Sequence, residues 1–277
     1  MRTIRLKETE PGSRTLLTPA ADYRELTDES LPSGPFLRRG TADGFLHTGD
    51  EREAATRSLI LLGDSFVETV YCDEAERFPA LLEQTLPEEW RVLNGGYSGM
   101  TTAHMLTLVA AKIPPLMSPG SRLVLFVGQS DVFALQSPGA YWSLSDRITP
   151  LLPPPTTSEV TWDRTEALER TIDALLALVV AFRFDVGVVA APFRDGDFRT
   201  DSLLRAWYKD SDETYARFTR IRRMIQRVVA TAATRHELPF LDGQSAVTPA
   251  DFYDSLHLNP AGQHVFSQAM SGWLKSW

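Results

Sequence analysis

The sequence predicts an α/β fold, with a five-stranded parallel sheet covered by helices on both faces. Three observations predict it. From residue 58 onward, short apolar runs alternate with helical stretches, the order that builds parallel sheets. Residues 58–62 and 122–127 are nearly unbroken apolar runs, as expected of strands buried on both faces. Both lead into glycine and polar residues, Gly63-Asp64-Ser65 and Gly128-Gln129-Ser130-Asp131, at the strand ends where open α/β sheets place their ligands.

In chain order, residues 1–57 lack strong periodicity and carry Pro11, Pro19, Pro32 and Pro35 among many charges. They hold too few apolar residues for a core of their own. They are expected to wrap the main domain, residues 58–277, as an extension. Residues 42–47 read as a turn and a short strand, with His47 on the surface. After the strand at 58–62, residues 74–86 form a helix with Phe78, Leu81, Leu82 and Leu86 on its inner side. Pro79 suits only its first turn. Residues 91–94 form a short strand and 95–99 a tight loop. The helix over 101–113 is capped by Thr101 or Thr102 and stopped by Pro114-Pro115. The strand at 122–127 follows.

Residues 134–162 interrupt the alternation with Pro138, Pro150 and Pro153-Pro154-Pro155, and carry Tyr141, Trp142 and Trp162. That composition suits a functional loop or lid. A long amphipathic helix (162–183) and a valine-rich strand (185–191) come next. A second insertion, charged and aromatic, occupies 192–212 and carries Trp207 and Tyr208. These aromatics read as packing of the loops or as the lining of an acyl pocket. A helix (213–236), a short strand (239–242) and a closing helix (260–274) complete the chain.

The 277 residues are 43% hydrophobic and 23% charged, which suits a globular protein with a full core. The net charge of −8 argues against a general nucleic-acid or anionic-membrane binder. Cys72 is the single cysteine, so neither an internal disulfide nor a cysteine-based metal site is expected. Residues 1–8 are charged throughout, and no stretch reaches the roughly 18 apolar residues of a membrane helix. The expectation is a cytoplasmic protein without metal or organic cofactor, acting on a small molecule.

Three places carry candidate chemistry. Ser65 sits where a central strand turns into a helix, so its hydroxyl can act as a nucleophile and its N–H as an oxyanion donor. Asp254 and His257 are three residues apart, a spacing that lets the carboxylate orient the imidazole. Asp251 is the other carboxylate near His257, and the spacing favours Asp254. Gly99 and Ser130 each follow a strand, as Ser65 does, and would meet it at one edge of the sheet. Read one at a time, each of these is equally an ordinary turn or helix cap. His104 reads as a helix-surface residue, His264 as structural, and Cys72 as a small buried residue.

Together the blocks resemble those of the SGNH/GDSL hydrolase family of esterases, lipases and acyltransferases. Leu62-Gly63-Asp64-Ser65-Phe66 is similar to its nucleophile block. Residues 94–102, beginning Asn94-Gly95-Gly96-Tyr97-Ser98-Gly99, resemble the block with the oxyanion glycine. Val127-Gly128-Gln129-Ser130-Asp131 resembles the Gly-x-Asn-Asp block, and Asp254-Ser255-Leu256-His257-Leu258-Asn259 the Asp-x-x-His-x-Asn block. Four blocks in the family's order are a specific signal. The resemblance implies a flavodoxin-like three-layer α/β/α sandwich. It implies a Ser65-His257-Asp254 triad, and an oxyanion hole of Ser65, Gly99 and Ser130. Serine stands at Ser130 where the family's block has asparagine. A hydroxyl is a shorter and less preorganised donor than an amide, and losing one oxyanion donor costs about 10²–10³ in rate. Ser130 can act directly or through water, or Gln129 can take its place.

The function expected is serine-dependent hydrolysis of a small or medium acyl ester, of a carbohydrate or another metabolite. An acyltransferase with the same acyl-enzyme and a non-water acceptor is the alternative. A noncatalytic binding protein on the same scaffold is a third reading, which retention of all three triad residues disfavours.

Overall fold

The computed structural model describes residues 6–49, 52, 54–137, 141 and 164–277. They form β1 (Arg14–Leu17), α1 (Ala21–Arg24), β2 (Phe36–Arg39), β3 (Arg57–Gly63), α2 (Ser65–Glu68), α3 (Phe78–Thr85), β4 (Trp90–Gly96) and α4 (Thr102–Ala111). Then come β5 (Arg122–Val127), α5 (Asp131–Gln136), α6 (Arg164–Ala181), β6 (Asp185–Ala190), α7 (Ser202–Trp207), α8 (Asp212–Arg235), β7 (Phe240–Asp242) and α9 (Pro260–Ser276).

Five strands make one sheet in the order β4-β3-β5-β6-β7, and every neighbouring pair is parallel. The chain runs from β3 out to the edge at β4, then crosses back to β5 on the other side of β3. Strand order therefore reverses at the carboxyl end of β3, the switch point where such sheets bind ligands. Ser65 follows that end directly.

The apolar runs divide between two faces with the strand period of two. Leu59, Leu61, Val124 and Phe126 pack with Phe78 and Leu82 of α3 and Phe266 and Met270 of α9. Ile60, Leu62, Leu123, Leu125 and Val127 pack with residues of α4, α6 and α8 on the other face. Each such side chain contributes about 1.5–3 kcal/mol by leaving water. The expected three layers follow from this division.

Three boundaries differ from expectation. Gly95 and Gly96 belong to β4 and pair with Leu62 and Gly63, so the loop is confined to residues 97–101. A Cβ on Gly96 would lie 2.2 Å from the backbone nitrogen of Glu68, so glycine lets β4 and α2 approach closely. The helix expected over 74–86 divides into a short 3₁₀ turn (Glu74–Glu76) and α3, which opens at Phe78 and keeps Pro79 in its first turn. Residues 134–136 of the expected insertion are the end of α5; the rest of 134–162, apart from Ser137 and Tyr141, lies outside the described residues, Trp142 and Trp162 included.

The N-terminal segment contains an antiparallel hairpin of β1 and β2 with α1 between them. The Leu46 N–H donates to the Asn94 carbonyl at 2.8 Å, a bridge to edge strand β4. Buried Arg77 donates to the Leu37 carbonyl at 2.6 Å, which ties β2 to the body. Phe198, Leu203, Leu204 and Tyr208 of the second insertion form a small apolar cluster with Tyr215 of α8.

Candidate active site

Ser65 opens α2 because Asp64 caps it: the Asp64 carboxylate accepts the Phe66 N–H at 3.0 Å. Phe66 then anchors the short helix. Its ring packs edge-on against Phe266 of α9, with centroids 5.1 Å apart, and also against Phe78 and Phe126. The helix that starts at Asn259, just after the histidine, thus packs on the residue after the serine.

His257 lies in an irregular turn before α9. The Tyr253 N–H donates to the His257 carbonyl at 3.0 Å and closes the turn. Asp254 Oδ1 accepts the Leu256 N–H at 2.7 Å and the His257 N–H at 2.6 Å. Its Oδ2 lies 2.6 Å from His257 Nδ1. On the far side of the ring, His257 Nε2 lies 2.8 Å from Ser65 Oγ. The imidazole is further held by the ring of Tyr253, stacked at 5.7 Å and 15°. Asn259 caps α9 by accepting the Gly262 N–H at 2.9 Å.

This geometry sets the charges. Burial alone would push the Asp254 carboxyl up, but the facing imidazole and the donors around it hold it below the usual range. Burial would push His257 down, but the Asp254 carboxylate outweighs it and the net direction is up. Asp64 and Glu68 add to that rise.

Gly99 follows β4 with a φ of 74°, a left-handed conformation that suits glycine. Its loop is tied to the serine's helix by Glu68, whose carboxylate accepts the Ser98 N–H at 2.8 Å and the Ser98 hydroxyl. Arg38 of β2 donates to the same carboxylate at 3.1 Å. Glu68 escapes the sequence reading, although its place three residues after Ser65, within one helical turn, is a signal that could have found it.

Ser130 departs from the role expected of it. Its hydroxyl donates to Asp64 Oδ2 at 2.5 Å, so its one hydrogen is directed to the helix cap and not to an oxyanion. Gln129 spends one of its two amide hydrogens on the Pro192 carbonyl, at 3.2 Å. Burial pushes the Asp64 carboxyl upward despite these donors. Asp131 is buried as well and accepts from the Thr102 N–H and hydroxyl and from Tyr141. Burial pushes its carboxyl up to about 6.

Of the remaining candidates, His104 is fully buried rather than on the helix surface, with Nδ1 2.8 Å from the Thr101 hydroxyl at the start of α4. Asp251 accepts from the Thr248 N–H and hydroxyl. His264 is exposed beside Glu76. Burial pushes the Cys72 thiol up to about 12, so it stays a protonated, buried group. Trp207 packs edge-on against Tyr23 at 6.2 Å. Among the described residues, no group of three or more His, Cys, Asp or Glu side chains is placed to hold a metal.

Two side chains of the site carry no sequence signal. Tyr23 of α1 donates to Asp254 Oδ2 at 2.6 Å across 231 residues of chain. Arg194 donates to the Phe252 carbonyl at 2.9 Å while paired with Asp201, and so ties the second insertion to the turn that carries Asp254 and His257.

The family model of GDSL-like lipases and acylhydrolases matches residues 61–265. The chain belongs to that family. It is an enzyme that acts on ester bonds. By sequence, no curated protein matches it. Among solved structures, it is similar to an aryl esterase of M. smegmatis, with 15% identity and a TM-score of 0.56, over 80% of this chain and 99% of that one. It is also similar to an acetylxylan esterase of Geobacillus stearothermophilus, with 16% identity and a TM-score of 0.53, over 81% and 96%. A carbohydrate acetylesterase of Sinorhizobium meliloti is similar at 13% identity and a TM-score of 0.52, over 80% and 99%. At these identities the likeness is one of fold. Tyr23 and Arg38 lie outside the residues that the GDSL family model covers. No described helix is long and apolar enough to cross a membrane.

Proposed function

We propose that this protein hydrolyses a small or medium acyl ester through an acyl-enzyme on Ser65. The unbroken path from Ser65 Oγ to His257 Nε2 at 2.8 Å, and from His257 Nδ1 to Asp254 Oδ2 at 2.6 Å, is the observation that carries this reading. Ser65 Oγ attacks the acyl carbonyl while His257 takes its proton. Asp254 orients the ring and stabilises the imidazolium. The backbone N–H groups of Ser65 and Gly99 receive the oxyanion. His257 then protonates the leaving alcohol. Water, activated by the same imidazole, releases the acid.

A small acyl group on a carbohydrate or related metabolite is the substrate class, supported by the two acetylesterases of similar fold. Hydrolysis of p-nitrophenyl acetate, butyrate and octanoate tests the reading. The expected result is turnover fastest on the acetate and lower by about 10⁶ in Ser65→Ala. A serine-reactive phosphonate should label the wild type alone. Labelling that persists in Ser65→Ala would overturn the assignment of the nucleophile. Rapid acylation of Ser65 without turnover would replace water by another acceptor and make the enzyme an acyltransferase.

A further inference from the structure

We propose that Tyr23 is a positioning residue of the catalytic apparatus, so that the N-terminal segment supplies part of the active site. Its phenol holds the Asp254 carboxylate in register with His257 and shares the charge on Oδ2. The inference rests on the Ser65-His257-Asp254 reading above.

Asp254 is fully buried, so each carboxylate oxygen needs donors from the protein. Oδ1 has two backbone N–H groups from its own turn. Oδ2 has the imidazole at 2.6 Å and the Tyr23 phenol at 2.6 Å. The phenol is thus the one side-chain donor from outside the turn, among the described residues, that fixes the oxygen facing the histidine. It remains a donor at working pH, because burial and then the adjacent carboxylate push its ionisation far upward.

Tyr23 is also held in place. Its ring packs on Tyr71 at 5.6 Å and on Trp207 at 6.2 Å. Four residues beyond α1, the Asp28 N–H donates to the carbonyl of Tyr253, next to Asp254, at 2.9 Å. The Asp28 carboxylate lies 3.6 Å from Arg194, which also binds the turn at Phe252. A segment outside the family match is therefore fastened to the Asp254 carboxylate and to the residues just before it.

Two effects follow from the shared oxygen. The phenol restricts rotation of the carboxylate, which keeps Oδ2 aimed at Nδ1. It also draws charge from Oδ2, which weakens the pull on the imidazolium. The other charged or titratable groups that face the pair are Asp64 and Glu68 toward His257, and Tyr253 toward Asp254. A Tyr23→Phe substitution leaves all of them in place and keeps the ring packing.

The experiment compares the wild type, Tyr23→Phe, Tyr71→Phe and Ser65→Ala on p-nitrophenyl acetate from pH 5 to 9. Rates of the three enzymes that keep Ser65 are normalised to the sites titrated by an irreversible phosphonate, so unfolded protein does not count; the Ser65→Ala rate is normalised to folded protein. Tyr23→Phe is expected to lower kcat about ten-fold with KM little changed. It is also expected to move the acidic limb of kcat/KM to higher pH and to shift the downfield proton resonance of His257 Nδ1–H. Tyr71→Phe, which removes a hydroxyl from the same aromatic group, is expected to match the wild type. A Tyr23→Phe enzyme with unchanged kcat and an unmoved limb would overturn the proposal, as would an equal loss in Tyr71→Phe. Loss of activity in Ser65→Ala beside a wild-type Tyr23→Phe would sink the role of Tyr23 alone. Full activity in Ser65→Ala would sink the triad reading itself.

Discussion

The proposed proton-transfer half of the site and its proposed oxyanion half are supplied differently. On the proton-transfer side, Ser65, His257, Asp254 and Tyr23 form one line of hydrogen bonds in which every link is 2.6–2.8 Å. On the oxyanion side, the side chain at the expected donor position gives its hydrogen to Asp64. The difference comes down to counting hydrogens. An asparagine amide has two, so it can meet Asp64 and an oxyanion together. A serine hydroxyl has one, and a buried carboxylate takes it. The proton on Asp64 decides who donates. Ionised Asp64 captures the Ser130 hydrogen; protonated Asp64 donates to Ser130 and releases it. On the proposed mechanism the two halves should respond to pH in opposite senses, because His257 becomes a base as the pH rises while ionisation of Asp64 takes the Ser130 hydrogen.

Damage to the Ser65-His257-Asp254 line should be the most severe. Asp254→Asn keeps the shape of the turn but replaces the acceptor facing Nδ1 by a neutral group. It is expected to lower kcat by about 10⁴, read from steady-state hydrolysis of p-nitrophenyl acetate. A fall of less than ten-fold would mean that His257 takes its orientation from Tyr253 and the turn, and not from the carboxylate.

Changes at Ser130 should act more mildly. If its hydrogen serves Asp64, Ser130→Ala should change kcat less than about ten-fold, well short of the 10²–10³ of a working oxyanion donor. Its main cost should be to stability, about 1–3 kcal/mol for a buried acceptor that loses a partner, seen in urea unfolding. Ser130→Asn adds a second hydrogen and is expected to raise kcat on the order of ten-fold. The gain stops short of a full donor's worth because a buried serine site must make room for the amide. A loss of 10²-fold or more in Ser130→Ala would restore Ser130 to the oxyanion hole.

The same division runs through what the sequence made legible. The sheet, its order of elements and the hydrogen-bonded Ser65, His257 and Asp254 are encoded locally. Apolar runs mark the buried strands, and Asp254 and His257 are only three residues apart. Glu68 was legible in principle, from its place one turn after Ser65. Gly95 and Gly96 read as a loop because glycine pairs are usually turns, whereas here they let β4 approach α2. The Ser130–Asp64 pair depends on two strand ends meeting in space, and a sequence block shows the residue but not where its hydrogen goes. Tyr23 sits in a short helix of an irregular segment with no periodicity, and only the tertiary fold brings it to Asp254.

The smallest expected effect is at Asp64, where the two halves meet. Burial raises its carboxyl, so the folded protein keeps that proton to higher pH than the unfolded chain does. Its contribution to stability is therefore present below the unfolded value near 3.9 and is lost as pH rises through the folded one. The Asp254 carboxyl, held low, acts in the opposite sense and supports the fold above that range. Asp64→Asn keeps an acceptor for the Phe66 N–H and presents an amide hydrogen to Ser130, whose own hydrogen is then free. It also removes a negative charge that helps keep His257 protonated. Three readings should move together. The loss of stability as pH rises above about 4 should flatten in thermal unfolding. The acidic limb of kcat/KM should shift to lower pH. And kcat at alkaline pH should rise about two- to five-fold, the worth of one ordinary hydrogen bond. A limb that moves with no gain in kcat would show that the Asp64 charge acts on His257 alone, and that the oxyanion half works entirely through the backbone of Ser65 and Gly99.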